Sequence, residues 1–310
     1  ARVVQRGVER SLEIISEAMF STDVESDAGK VGGYIATLNE TALRMLRQPW
    51  RFFLPRRFPT PITKREFHAR ASMDAIVHAI IERRRREGAE KHDDLLSMFL
   101  SACDEETGRG MTNEQLRDEV MTMFVAGHET TANAMCWLLH LVATHPEIEA
   151  RLLEEIDAAG DALDTGNLSA FPYTRRVVEE SLRMYPTIWS VGRRCVKDDE
   201  LGGFHIRAGT TLLIPIFHFH WGEQWWDEPR KFDPDRFLPD RKPRPEIYFP
   251  FGAGPRTCIG NQFALQELVI MTVCMLQRLR FRPVEGFRVE PDPLITLRPK
   301  HGMKLAVSAR

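Results

Sequence analysis

The stretch FGAGPRTCIG, Phe251 to Gly260, places one cysteine between an arginine and a glycine, among three glycines and a proline. The chain's cysteines are Cys103, Cys136, Cys195, Cys258 and Cys274, and no two have the C-x-x-C spacing of a zinc site or a redox pair. Cys136 and Cys274 lie in apolar helical runs and read as small buried hydrophobes. Cys258 does not, because its neighbours are not core residues. It stands just before the helical run NQFALQELVIMTVCMLQRL, where unpaired N–H groups and the helix dipole favour a thiolate. Gly252, Gly254 and Gly260 let the backbone approach something flat and bulky. Arg256 offers a fixed cation suited to a cofactor carboxylate. A single thiolate in a glycine-rich loop, shielded by Phe251, is the strong axial donor that a haem iron takes.

A second constellation is AGHETT, Ala126 to Thr131. Thr130 lies four residues after Ala126, so its hydroxyl can bond the Ala126 carbonyl and loosen the helix there. Gly127 leaves room for a flat group against the opened backbone. Glu129 and Thr130 form an acid and an alcohol able to relay protons. Standing alone, the motif would read as a small-residue helix contact with a surface glutamate. His128 is expected to point elsewhere on the helix rather than to ligate. His218 and His220 read as structural. A third constellation is ESLR, where Glu180 and Arg183 share one helix face at a spacing of three.

These residues carry a family resemblance. FGAGPRTCIG resembles the haem-ligand loop of the cytochrome P450 family, F-x-x-G-x-R-x-C-x-G, at every fixed position. AGHETT resembles the family's oxygen-activation motif, ESLR its E-x-x-R pair, and FDPDRF (Phe232 to Phe237) its P-E-R-F segment with aspartate in the second slot. The four occur in the family's order. The resemblance implies haem b bound by Cys258 as proximal ligand, with Ala126, Gly127, Phe251, Gly252, Arg256 and Gly260 contacting the cofactor. It implies proton delivery by Glu129 and Thr130 during O–O scission. Arg236 joins Glu180 and Arg183 in a buried ion-pair network under the cysteine loop. In PTIWSVGRRC, Ile188, Trp189 and Val191 line the substrate pocket, and Arg193 rather than Arg194 lies near a propionate; an exposed strand-edge charge is the plainer reading of either arginine.

The implied activity is monooxygenation of an apolar small molecule by O2. Electrons come from a separate protein of ferredoxin or flavin reductase type, since the chain shows no flavin, nicotinamide or iron–sulfur motif. Two alternatives stand beside it: non-redox haem-thiolate isomerisation or dehydration, which the Glu129–Thr130 pair argues against, and a haem-free helical fragment.

The elements that must position these groups are mostly helices. Val3 to Phe20 has helical spacing, whereas Arg47 to Pro61, with four prolines, reads as irregular. A long helix ends in IERRRRE, and Arg83 to Arg86 read as its solvated end. Thr112 and Gln115 form a capping box that opens a helix from Thr112 to Thr144, near 50 Å at ~1.5 Å per residue. Pro146 starts the next helix, with Ile148, Leu152, Leu153 and Ile156 on its apolar face. Pro172 to Pro186 brackets another, and LGGFHIRAGTTLLIPIF supplies short strands. The expected fold is mainly α with a small β part, of the P450 type, as one domain over residues 1–310.

Across 310 residues the net charge is −2, so no bulk positive field points to nucleic acid. Unpaired, scattered cysteines fit a reducing compartment. No run approaches the ~18 to 20 apolar residues of a membrane span, and the expectation is a monomeric, cytoplasmic enzyme. The chain opens on Ala1 in mid-pattern and reads as lacking the family's N-terminal portion. Weak haem retention by this polypeptide is therefore expected.

Overall fold

In the computed structural model the described residues are 28–47, 61–163 and 165–310, with Glu17 and Ser21. The helix expected over Val3 to Phe20 and nearly all of the irregular Arg47–Pro61 stretch fall outside them. The chain divides into two compact units, Gln5–Ala132 and Asn133–Arg310.

The first unit is helical: α1 (Ala28–Arg47), α2 (Pro61–Glu87), the short α3 (Leu95–Ser101) and the opening turns of α4 (Asn113–Thr144). Its core joins Val31 and Ile35 of α1, Met73, Val77 and Ile81 of α2, Leu96 of α3, and Leu116, Val120 and Phe124 of α4. The last three recur at steps of four, which puts them on one face of the helix. The capping box forms in both directions. The Gln115 N–H donates to Thr112 Oγ1 at 3.2 Å, and the Thr112 N–H donates to Gln115 Oε1 at 2.9 Å.

One expectation fails here. Arg83, Arg85 and Arg86 are exposed, but Arg84 is only 2% exposed. Its guanidinium donates to Asp94 Oδ1 at 2.5 Å and to Ser97 Oγ at 2.7 Å. Asp94 also caps α3 by accepting the Ser97 N–H at 2.9 Å. Burial would raise the Asp94 carboxyl, but bonds from Arg84, Ser21 and Ser97 hold it well below the usual carboxylate range. A charge run wraps around its helix, so one arginine in four turned inward to a buried partner.

The second unit takes the rest of α4, in which residues 133–139 are all buried. A helix apolar on every side is a core helix. The unit also holds α5 (Pro146–Ala159), α6 (Pro172–Met184) and α8 (Asn261–Arg278), which pack on one another, and the short α7 (Ile216–Trp221), which packs on α6. Prolines stand at the first turns of α5 and α6, where the missing N–H costs nothing. The Glu155 carboxylate supplies the cap that α6 lacks, accepting the backbone N–H groups of Tyr173 and Thr174.

The β part is four two-stranded antiparallel ladders. β1 (Val191–Arg194) pairs β4 (Thr211–Ile214), with Val191 opposite Ile214. β2 (Asp199–Leu201) pairs β3 (Phe204–Ile206). β5 (Leu279–Pro283) pairs β8 (Leu305–Ala309), and β6 (Pro291–Pro293) pairs β7 (Leu297–Pro299). Strands β3 and β4 lie in the stretch Leu201–Phe217 where the sequence places strands; β1, nearly all of β2 and the strands after α8 were not anticipated. The fold is mainly α with a small β part, as expected.

Candidate functional site

The cysteine loop is built from nested turns. Gly252 and Gly254 both have φ 73°, a conformation that penalises any side chain. The Gly252 N–H donates to the Phe249 carbonyl at 2.9 Å, and the Cys258 N–H donates to the Phe251 carbonyl at 2.9 Å. Thr257 closes the inner turn, its N–H and hydroxyl both donating to the Gly254 carbonyl. α8 begins at Asn261 with Gly260 as its N-cap, so Cys258 sits just ahead of a helix N-terminus. A Cβ at Gly260 would stand 3.9 Å from Cys258 Sγ. Residues 253–259 are exposed, including the thiol, Arg256 and Ile259, the last at 83%. Cys136 is buried as expected, but Cys274 is exposed. Its helix buries the opposite face, and Gln266, Ile270, Cys274 and Arg278 form an outward stripe at steps of four.

A buried charge network is centred on α6. Glu180 and Arg183 are both fully buried and paired twice: Arg183 Nε to Glu180 Oε2 at 2.7 Å, Nη2 to Oε1 at 2.8 Å. Glu180 Oε1 also accepts the Asp233 N–H at 3.0 Å and meets Arg236 Nε at 3.5 Å. Burial pushes the Glu180 carboxyl up, while the bonds from Arg183 and Asp233 and the Arg236 charge pull the other way. Arg183 further donates to the carbonyls of His220 and Lys231, at 2.7 and 3.2 Å, and lies 4.9 Å over the Trp226 ring. Each nitrogen of the buried guanidinium thereby has a hydrogen-bond partner, as its burial requires.

Ile188, Trp189 and Val191 are half-buried. The Trp189 indole N–H donates to the Leu294 carbonyl at 2.8 Å, and the Leu297 N–H donates to the Thr187 carbonyl at 2.8 Å. Asn133 and Trp137 of α4 bond Thr296 and Leu297. The turn between β6 and β7 is thus joined to the Trp189 loop, a proximity hidden by about a hundred intervening residues. Arg193 is exposed on β1, its Nη1 donating to the Gly192 carbonyl at 2.9 Å.

In the first unit, Thr130 Oγ1 donates to the Ala126 carbonyl at 2.7 Å, the bond its spacing allows. Thr122 and Thr144 make the same i−4 bond on the same helix, so the bond alone marks no special threonine. The opening expected around Gly127 does not take the form of a break, because α4 is helical without interruption from 113 to 144. His128 is buried, near Gly32 of α1. Sequence reasoning missed Asn39 of α1, whose amide donates to the Glu129 carboxylate; no local pattern links residues ninety positions apart.

An exposed lone thiol before a helix start, a loop kept low by left-handed glycines, and a nearby exposed arginine fit a haem that presents iron to the sulfur and carboxylates to cations.

The family profile described as Cytochrome P450 matches residues 9–306. The putative cytochrome P450 132 of Mycobacterium tuberculosis is 34% identical over 323 residues, covering 96% of this chain and 67% of the relative. Pentalenene oxygenase of Streptomyces avermitilis is 33% identical over 308 residues, covering 97% and 67%. The crystal structure of the cytochrome P450DA heme domain superposes with a TM-score of 0.86 at 29% identity, covering all of this chain and 68% of that one. The chain therefore belongs to the cytochrome P450 family, the haem-thiolate monooxygenases, whose cofactor is haem b. It spans about two thirds of the length of these relatives. No helix among the described residues is long and apolar enough to cross a membrane.

Proposed function

We propose that the chain forms one P450 domain in which Cys258 holds the haem iron, and that the protein inserts one oxygen atom of O2 into an apolar organic molecule. The observation that carries this reading is the exposed Cys258 thiol on its glycine loop ahead of α8. The loop's hydrogen bonds fix the backbone on both sides of the sulfur. Arg256 and Arg193 are the cations offered to the haem carboxylates. When bound, the haem supplies the activation of dioxygen.

The protein's own groups supply placement and protons. Asn39 holds the Glu129 carboxylate in place, which keeps an acid stationed on α4. The Thr130 hydroxyl gives its hydrogen to the Ala126 carbonyl, so its lone pairs remain to accept a proton donor. Ile188 and Val191 offer apolar surface to a substrate, and Trp189 is oriented by its bond to Leu294. Electrons reach the haem from a separate ferredoxin or flavin reductase. Arg241, Lys242 and Arg244 are exposed and form the basic docking surface we assign to it. The protein acts as a monomer in the cytoplasm.

The test is spectroscopic. Cys258→Ser in the haem-loaded protein is expected to abolish the thiolate-type absorption band of the reduced carbon monoxide complex, while Cys136→Ala and Cys274→Ala retain it. Persistence of the band in Cys258→Ser would overturn the assignment.

A further inference from the structure

The charge network and the cysteine loop are linked through an intermediary. Among the described residues, no hydrogen bond joins Glu180, Arg183 or Arg236 to residues 249–260. Among the described residues, a single residue is hydrogen-bonded to both. The carbonyl of His220 accepts from Arg183 Nη1 at 2.7 Å, and its ring Nε2 accepts the Phe249 backbone N–H at 3.1 Å. From Phe249 the bonds run onward. Its carbonyl takes the Gly252 N–H, and the Phe251 carbonyl takes the Cys258 N–H.

We infer that His220 is a positioning residue that transmits the placement of the Glu180–Arg183 pair to the start of the Cys258 loop. The inference rests on the reading of Cys258 as the iron ligand.

The geometry suits the role. His220 is fully buried at the last turn of α7, with its ring stacked on Tyr248 at 5.3 Å and edge-on to Phe249 at 5.8 Å. To accept an N–H, Nε2 must carry a lone pair, so the proton sits on Nδ1. Burial and the Arg183 charge both favour that neutral ring. Among the described residues, the Phe249 bond is the one tether by which residues 249–260 are hydrogen-bonded to an earlier element, the rest lying within the loop or the start of α8. Tyr248, one residue earlier, is held separately by its hydroxyl on the Glu179 carbonyl at 2.9 Å.

The experiment compares His220→Phe, which keeps a ring but has no acceptor, with His220→Gln, whose Oε1 can replace Nε2, in the haem-loaded protein. Three quantities are read: hydrogen-exchange protection of the Phe249 amide, the haem-to-protein ratio, and the reduced carbon monoxide band. In His220→Phe, Phe249 protection is expected to fall about tenfold, the loss of one net hydrogen bond. The band is expected to convert with time to the type given by a protonated thiol. His220→Gln is expected to restore both, and Tyr248→Phe to leave Phe249 protection within about twofold.

Equal behaviour of the Phe and Gln variants, or a loss in Tyr248→Phe matching that in His220→Phe, overturns the inference. Should His220→Phe not fold, wild-type exchange decides: a Phe249 amide exchanging as fast as exposed loop amides overturns it, and a protected one supports it. The two readings fail separately. A wild-type protein without a thiolate band refutes the Cys258 assignment, whereas a wild-type band with unprotected Phe249 refutes His220 alone.

Discussion

His220 also controls how the fold responds to acid. Burial first, and the Arg183 charge second, push its imidazole down from the ordinary 6.5 to about 3. Between those values the unfolded chain takes up a proton that the folded chain refuses. Acidification therefore favours unfolding. The stabilisation is full above pH 6.5, declines as pH falls, and is exhausted below about 3, with a slope of at most ~1.4 kcal/mol per pH unit. His140, pushed down by burial and by His145, adds to the same window. Asp94 and Asp235, both held low by their arginines, add further loss only at lower pH. Melting followed from pH 7.5 to 5 is expected to show this decline, and His220→Gln to flatten it by about one proton. An unchanged slope in that variant would mean that His220 is not neutral in the fold.

At the scale of elements, what was legible was what lies within a few residues. The capping box of α4, the prolines opening α5 and α6, the E-x-x-R spacing and the cysteine loop are each local. What was hidden pairs distant residues: Arg84 with Asp94, Asn39 with Glu129, the Phe249 amide with His220. Strands β5 to β8 were missed because they are short, four of their positions are prolines, and β5 finds its partner only at the chain's last residues. The α4 cap yields a clean energetic test. Each of Thr112→Ala and Gln115→Ala is expected to cost about 1 kcal/mol. The double variant should cost less than their sum, because the two bonds form one reciprocal pair. Strict additivity in the double-mutant cycle would show two independent contacts. Glu155, which caps α6 from the preceding helix, was unreadable for the same reason as the long-range pairs.

Across the whole molecule, the proposed functional groups are divided between the two compact units. Ala126 to Thr130 belong to Gln5–Ala132, while Cys258, Arg193, Arg256 and the charge network belong to Asn133–Arg310. The sequence implied both sets through four short motifs but gave no sign of where the chain would divide. α4 passes the boundary as one continuous helix. Its hydrophobic pattern changes from one-faced to all-round just after the polar, glycine-containing run Gly127–Thr131, yet the helix itself does not break there.

The outward position of Cys258 has a consequence for handling the protein. Cys103, Cys258 and Cys274 are open to solvent, whereas Cys136 is enclosed, its thiol pushed up to about 12 by burial. In haem-free chains all three open sulfurs are targets for air oxidation and for alkylating reagents, which attack the thiolate of an accessible cysteine. Iodoacetamide is expected to label Cys258 in the haem-free chain and to spare it once iron occupies the sulfur, with Cys136 unlabelled in both. Equal labelling of Cys258 in both would count against its bond to iron. A preparation left without reductant would lock that sulfur into disulfides between chains, and these molecules would register as protein by mass while being closed to the cofactor. Loss of activity on storage would then be a matter of blocked thiols, reversible by a reducing agent, rather than of unfolding.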